Sequence, residues 1–204
     1  MLGKELHAIV LMQTWGKSED FIRQLKRDRH VISLFHIMGR YSYLLDTNFD
    51  NKNQLASWID NIKSFTYENG IPAVLAIQTQ RIIDALKQKK DFTLQDYLET
   101  KEKYHFFVEI DNPHHDENLV KLLEEKATVD SLLHIQGEYS FTCEVILEDY
   151  EEFKSLLKDI KSITSIQHIE TFEVISVLKY RNQIFSQTQG IIEPKEDIRM
   201  LYTL

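Results

Sequence analysis

At 204 residues, with 43% hydrophobic and 27% charged side chains, the chain is long enough to bury a sizeable core and is ordinary in composition for a globular protein. A net charge of −8 argues against a nonspecific nucleic-acid binder. No apolar run approaches the roughly 18 residues of a membrane helix, and the lone cysteine, Cys143, excludes an internal disulfide and reads as a reduced, cytoplasmic protein.

The N-terminal Met1-Leu2-Gly3-Lys4-Glu5 lacks the apolar core of a signal peptide. Leu6 to Gln13 is short, apolar and partly β-branched, which predicts a buried strand. Ser18 followed by Glu19-Asp20, with Phe21, Ile22 and Leu25 at helical spacing, predicts a helix from about Ser18 to Arg29. Val31 to Met38 reads as a second strand, Gly39-Arg40 as a turn and Tyr41 to Asn48 as a third strand. A polar loop, Asp50 to Asn53, supplies cap residues for a helix bearing Leu55, Trp58, Ile59 and Ile62 on one stripe. Ile71 to Gln78 predicts a fourth strand after Asn69-Gly70. The order β-α-β-β-α-β is the ferredoxin-like unit.

That unit is written twice. Leu34, His36, Ile37, Gly39, Tyr41 and Ser42 recur as Leu132, His134, Ile135, Gly137, Tyr139 and Ser140, a shift of 98 residues. His7 falls on His105, Val10 on Val108 and Leu25 on Leu123, and the same shift carries Ile62-Lys63-Ser64 onto Ile160-Lys161-Ser162 and Ile77 onto Ile175. One offset without a gap predicts an internal duplication. The boundaries expected are a first repeat over 1–80, a connector of short helices over 81–103, a second repeat over 104–180 and a tail over 181–204. Within the connector, Thr93-Leu94-Gln95-Asp96 has the form of a capping box, and the tail ends in an apolar run from Ile198 to Leu204 that predicts docking. Residues 1–90 hold 13 Lys/Arg against 9 Asp/Glu and residues 91–204 hold 11 against 23, so the halves carry opposite charge.

Strand side chains alternate between two faces, and helices cover only one face of a ferredoxin-like unit. The other face would carry Ile9, Leu11 and Phe107, with His7 and His105. Such a patch calls for cover, and the duplication offers it. The fold class expected is therefore α+β, two tandem ferredoxin-like repeats packed as an intrachain pseudo-dimer, barrel-like, with His7 and His105 on the buried seam.

The element order and the paired turns Gly39-Arg40-Tyr41-Ser42 and Gly137-Glu138-Tyr139-Ser140 resemble the effector domain of the Lrp/AsnC regulators, also called the regulation of amino-acid metabolism domain and similar to ACT domains. The resemblance spans about residues 6–80 and 104–180. The family turn commonly reads Gly-x-Tyr-Asp, whereas Ser42 and Ser140 stand at the acidic position here. The resemblance implies a small effector such as an amino acid bound near the glycine turns, and oligomers built through sheet contacts. No helix-turn-helix precedes the first strand, so direct DNA reading is not expected.

Other chemistry is sparse. No phosphate loop and no Cys-x-x-Cys occurs, and His114-His115-Asp116-Glu117 reads as a helix cap before it reads as a metal site. His36 and His134 sit three residues before the turns in otherwise apolar strands, where a polar group needs a partner. The ligand-binding set expected is His36, Gly39, Tyr41, Ser42, His134, Gly137, Tyr139 and Ser140, with no catalytic residue, metal or cofactor. The function expected is metabolite sensing, regulation or assembly without catalysis: an amino-acid-like effector, a homo-oligomer through sheet and tail contacts, no nucleic acid and no membrane. The alternatives are a tetrapyrrole-binding α+β barrel enzyme, with His168 as axial ligand, and a scaffold without a ligand.

Overall fold

The computed structural model describes residues 5–16, 18–67, 69–88, 103–114 and 116–184. Each described helix starts where a side-chain oxygen accepts an otherwise orphaned N–H. Ser18 caps α1 (Glu19–Arg27), Asn51 caps α2 (Lys52–Lys63), Asp116 caps α3 (Glu117–Glu125) and Asp149 caps α4 (Tyr150–Lys161). Asp116 thus serves as a cap, with Ser165 Oγ donating to its other oxygen at 2.8 Å. No group of three metal-ligating side chains forms among the described residues, and no described helix is long and apolar enough to cross a membrane.

The strands are β1 (Leu6–Thr14), β2 (Val31–Met38), β3 (Tyr43–Phe49), β4 (Val74–Gln88), β5 (Tyr104–Asp111), β6 (Val129–Gln136), β7 (Phe141–Leu147), β8 (His168–Tyr180) and β9 (Gln183–Ile184). All pairings between them are antiparallel. The sheet order is β2-β3-β1-β4-β6-β7-β5-β8-β9, and β2 also pairs with β8, so eight strands close into a ring. The order β-α-β-β-α-β occurs in each half of the chain. Closure joins edges: β4 runs onto β6 and β8 onto β2. The sequence argument for covering an apolar face with a second sheet is met by one continuous sheet instead of two stacked ones.

Three expectations need correction. Residues 81–88, read as the start of a helical connector, continue β4 and pair with β6 from Arg81↔Gln136 to Gln88↔Ser131. Ile82 and Leu86 lie in this extension, where ladder hydrogen bonds to β6 decide the conformation. The uniform shift of 98 also fails in the last strand. Leu11 pairs with Gln78 and Glu109 pairs with Glu170, so the registers of β4 and β8 differ by 92. The link from α4 to β8 is shorter than that from α2 to β4. Finally, His7 is not buried: its side chain is 45% exposed beside Glu5, whereas that of His105 is 3% exposed. The capping box at 93–96 and the tail beyond Ile184 lie outside the described residues.

Two apolar layers lie under the helices. Phe21, Leu25, Trp58 and Ile62 pack with Val10, Leu34 and Leu45, while Leu119, Leu123, Phe153 and Ile160 pack with Val108, Leu132 and Val145. A third fills the ring and draws on both halves, with Ile9, Leu11, Phe35 and Leu44 against Phe107, Phe172, Val174 and Val177. Both seams are also tied by a lysine. Lys87 Nζ on β4 donates to the Lys126 carbonyl at 2.6 Å, and Lys179 Nζ on β8 donates to the Asp28 carbonyl at 2.9 Å. Each carbonyl belongs to a helix C-cap residue of the opposite half, where a cation also meets the negative end of the helix.

The glycine turns fit this closure differently. Gly39 has φ +147°, and a Cβ there would stand 2.8 Å from Phe172 in β8. Gly137 shows no positive φ, and a Cβ would meet the flexible Gln80 side chain at 3.0 Å. Gly39→Ala is expected to lower stability by about 1–3 kcal/mol through strain and overpacking, with Gly137→Ala losing less. Urea unfolding of the two variants tests this; equal losses would contradict it.

Candidate functional site

The two glycine turns, far apart in sequence, meet at one end of the ring. Arg40 Nη1 lies 3.3 Å from Glu138 Oε1, both side chains being about half exposed. Beneath this link, the Tyr41 hydroxyl bonds the Gln78 side chain, and the Tyr139 hydroxyl donates to Glu170 Oε2 at 2.6 Å. Gln78 and Glu170 occupy the same register on β4 and β8, opposite Leu11 and Glu109. Both tyrosine rings are buried. Desolvation and the neighbouring acids push the Tyr139 hydroxyl well above its usual range.

The serines have a defined local role. Ser42 N–H donates to the Met12 carbonyl at 2.9 Å while its Oγ accepts the Thr14 N–H at 3.3 Å. Ser140 repeats the pattern, with N–H to the Ile110 carbonyl at 3.0 Å and Oγ accepting the Asn112 N–H at 3.2 Å. Each serine thus holds the end of β1 or β5 against its turn. A carboxylate could accept the same N–H, so serine preserves the geometry and removes a charge.

His36 and His134 stand apart from this cluster. Phe35 and Ile37 on either side of His36 face the ring interior, and the His36 ring sits 5.3 Å from Tyr43 on the helix-facing side. His134 similarly lies 5.5 Å from Phe141. Both histidines fall on the seams, where His36 pairs with Ser176 and His134 with Asp84. Gly39, Tyr41, Ser42, Gly137, Tyr139 and Ser140 come together; the histidines do not join them. His168 is exposed at the start of β8, its ring stacked 5.9 Å from Tyr139.

The ring interior supplies groups that turn motifs do not reveal. Glu109 is fully buried, and burial pushes its carboxyl up to about 8; Glu170 and Glu138 add to the rise, while Thr142 and Gln80 pull it back only in part. Asp46 is raised to about 7, chiefly by desolvation and then by Glu144, with Arg181 opposing. His105 Nε2 lies 2.8 Å from Glu144 Oε1, with both side chains at most 9% exposed. The available sequence signal was an acid on the inward parity of an apolar strand, as Glu109 is in the set His105, Phe107, Glu109.

Residues 105–184 match the Lrp/AsnC ligand binding domain, and this part of the chain has the ferredoxin-like β-α-β-β-α-β order. No curated protein matches the chain. Among solved structures, the siroheme decarboxylase NirDL is similar with a TM-score of 0.61 at 8% identity, over 91% of this chain and 76% of its own. The same enzyme in co-complex with an iron-uroporphyrin III analogue gives 0.59 at 9% identity over the same shares. A variant of chlorite dismutase from Candidatus Nitrospira defluvii gives 0.50 at 9% identity, over 83% of this chain and 90% of its own. At such identities these structures share a fold with this chain.

The carboxyls set a pH dependence. Asp46 and Glu109 keep protons in the fold up to about 7 and 8, whereas their ordinary values are 3.8 and 4.5. The unfolded chain therefore gives up protons that the folded chain retains, and stability falls as pH rises from about 4 through about 8. Urea midpoints are expected to be higher at pH 5.5 than at pH 8, with Asp46→Asn reducing the difference. A midpoint that rises with pH across this window would contradict the assignment.

Proposed function

We propose that the chain is a non-catalytic sensor or regulatory protein that binds a small, amino-acid-like metabolite where the two glycine turns meet. The observation that carries this reading is the Arg40–Glu138 link, which sets a guanidinium beside a carboxylate above Tyr41 and Tyr139. A zwitterionic amino acid has the complementary pair of charges, a carboxylate for Arg40 and an ammonium for Glu138 and Glu170. In this reading the halves are fused effector units packed as a pseudo-dimer, each bringing one turn. Gly39, Tyr41, Ser42, Gly137, Tyr139 and Ser140 frame the site, while His36 and His134 brace the seams behind it. The protein works in the cytoplasm as a homo-oligomer, delivering its ligand state to a separate partner.

Thermal-shift screening against amino acids and related metabolites tests the proposal. At a ligand concentration 100 times Kd, stabilisation of about 2.7 kcal/mol is expected, a rise of about 5–10 °C for a chain of this size. Arg40→Ala should remove the response. No response from any amino acid or related metabolite would overturn the reading.

The fold shared with NirDL, which has been solved with an iron-uroporphyrin III analogue, raises tetrapyrrole binding as a second reading, and His168 is the histidine placed for it. The surrounding charge does not fit. Tetrapyrroles of that class are rimmed with carboxylates, and Glu138, Glu170 and Glu109 lie around Tyr139 beside His168. Haem titration is expected to give no Soret shift; a saturable shift lost in His168→Ala would reverse the ranking.

A further inference from the structure

Two acids occupy matching positions on the inner face of the ring. Asp46 on β3 pairs with Ile9, and Glu144 on β7 pairs with Phe107, the same register one repeat later. Ile9 and Phe107 belong to the layer that fills the ring. Cross-strand partners share a face, so both acids point inward, one from each half. Glu144 is 7% exposed, and Asp46 Oδ1 is buried without a hydrogen-bond partner. Glu144 is also the charge from the opposite half that opposes ionisation of Asp46.

Their surroundings are unequal. Glu144 Oε1 lies 2.8 Å from His105 Nε2, an imidazole of its own half. The matching histidine, His7, lies beside Glu5 with its side chain 45% exposed. The neighbours of Asp46 on β1 and β2 are Ile9 and Ser33, neither of them charged. The cation that acts on Asp46 is Arg181, in the turn between β8 and β9, where Tyr180 also feels Glu144 and Asp130. This turn is fastened to β2. Arg181 N–H donates to Ser33 Oγ at 3.2 Å, and Asn182 N–H donates to the Ile32 carbonyl at 2.8 Å. Arg181 and Asn182 have φ +45° and +68°, a left-handed conformation that an arginine adopts at a cost. Asp46, Ser33 and a strained turn therefore meet where the β2–β8 seam ends.

We propose that Asp46 is a proton-operated catch between the two halves, closing the end of the β2–β8 seam when protonated and releasing it when ionised. Protonated, Asp46 is neutral opposite Glu144 and the turn stays on β2. Ionised, it is repelled by Glu144 and has to recover hydration. The strained turn is the part that yields, because two hydrogen bonds hold it to β2 and its backbone relaxes on leaving. Arg181 supplies the counter-charge to the newly exposed carboxylate. The seam opens from this end while the layers under the helices stay packed. Burial holds the Asp46 carboxyl at about 7 in the closed ring, against 3.8 in water, so opening grows as pH rises toward 7. The catch needs no ligand at the glycine turns and stands apart from the effector reading.

Amide hydrogen exchange of the full chain tests this at Arg181 and Asn182, with each rate divided by its intrinsic chemical rate. From pH 5.5 to pH 7.5 the corrected rates are expected to rise at least about tenfold. Asp46→Asn should flatten that rise. Glu109→Gln removes the other raised carboxyl and should leave it, whereas a rise caused by global unfolding would respond to both variants. Glu144→Gln removes the facing charge and should move the rise to lower pH, which decides the matter if Asp46→Asn does not fold. Rates unchanged with pH, a rise that survives in Asp46→Asn, one lost equally in Glu109→Gln, or one that Glu144→Gln does not move overturns the inference.

Discussion

Everything in this molecule depends on two strands that overrun their own half. A four-stranded sheet with helices on one side leaves its other face apolar, and about 25 cal/mol is at stake for each Å² of that face exposed to water. β4 and β8 resolve this by continuing onto β6 and β2, so the sheet closes and its inner face becomes a core. Ladder hydrogen bonds then leave no edge open around the eight-stranded ring. The lysines at 87 and 179 secure the same two seams from outside by meeting helix C-terminal carbonyls across the junction.

Closure also creates the electrostatic setting of the candidate site. A carboxyl on the inner face of the ring loses hydration and feels neighbouring charges strongly. Glu109 and Asp46 are perturbed for that reason, and desolvation leads both shifts. The turns at the end of the ring remain half exposed, so the Arg40–Glu138 link contributes little to stability.

Most of the architecture was legible because it is local. The helix caps Ser18, Asn51 and Asp116, the glycine turns and the alternation in β1 and β5 are set by residues within a few positions of one another. The failures were at the junctions. Residues 81–88 become strand through partners near position 135, and the change of register from 98 to 92 follows a loop whose length carries no periodic signal. His7 and His105 occupy matching positions, yet only His105 meets an acid inside the ring. At the site, the turn residues could be named from their repetition. Gln78 and Gln80 could not, since nothing repeats in their chemistry; Glu109 carried only the signal of an acid at an inward position, and sheet closure brings the β4 and β5 side chains to the same interior.

That lack of repetition has a consequence for how such a chain can change. In a dimer of identical subunits, every substitution arrives twice, so an acid introduced near the axis meets its own copy and a gain on one side is mirrored by a loss on the other. Here the two sides are encoded separately. Leu11 and Leu44 keep one side greasy while Glu109 and Thr142 make the other polar, and each can be altered alone. Joining both halves in one polypeptide frees the lining of the ring from symmetry, so that one side can change while the other goes on holding the walls together.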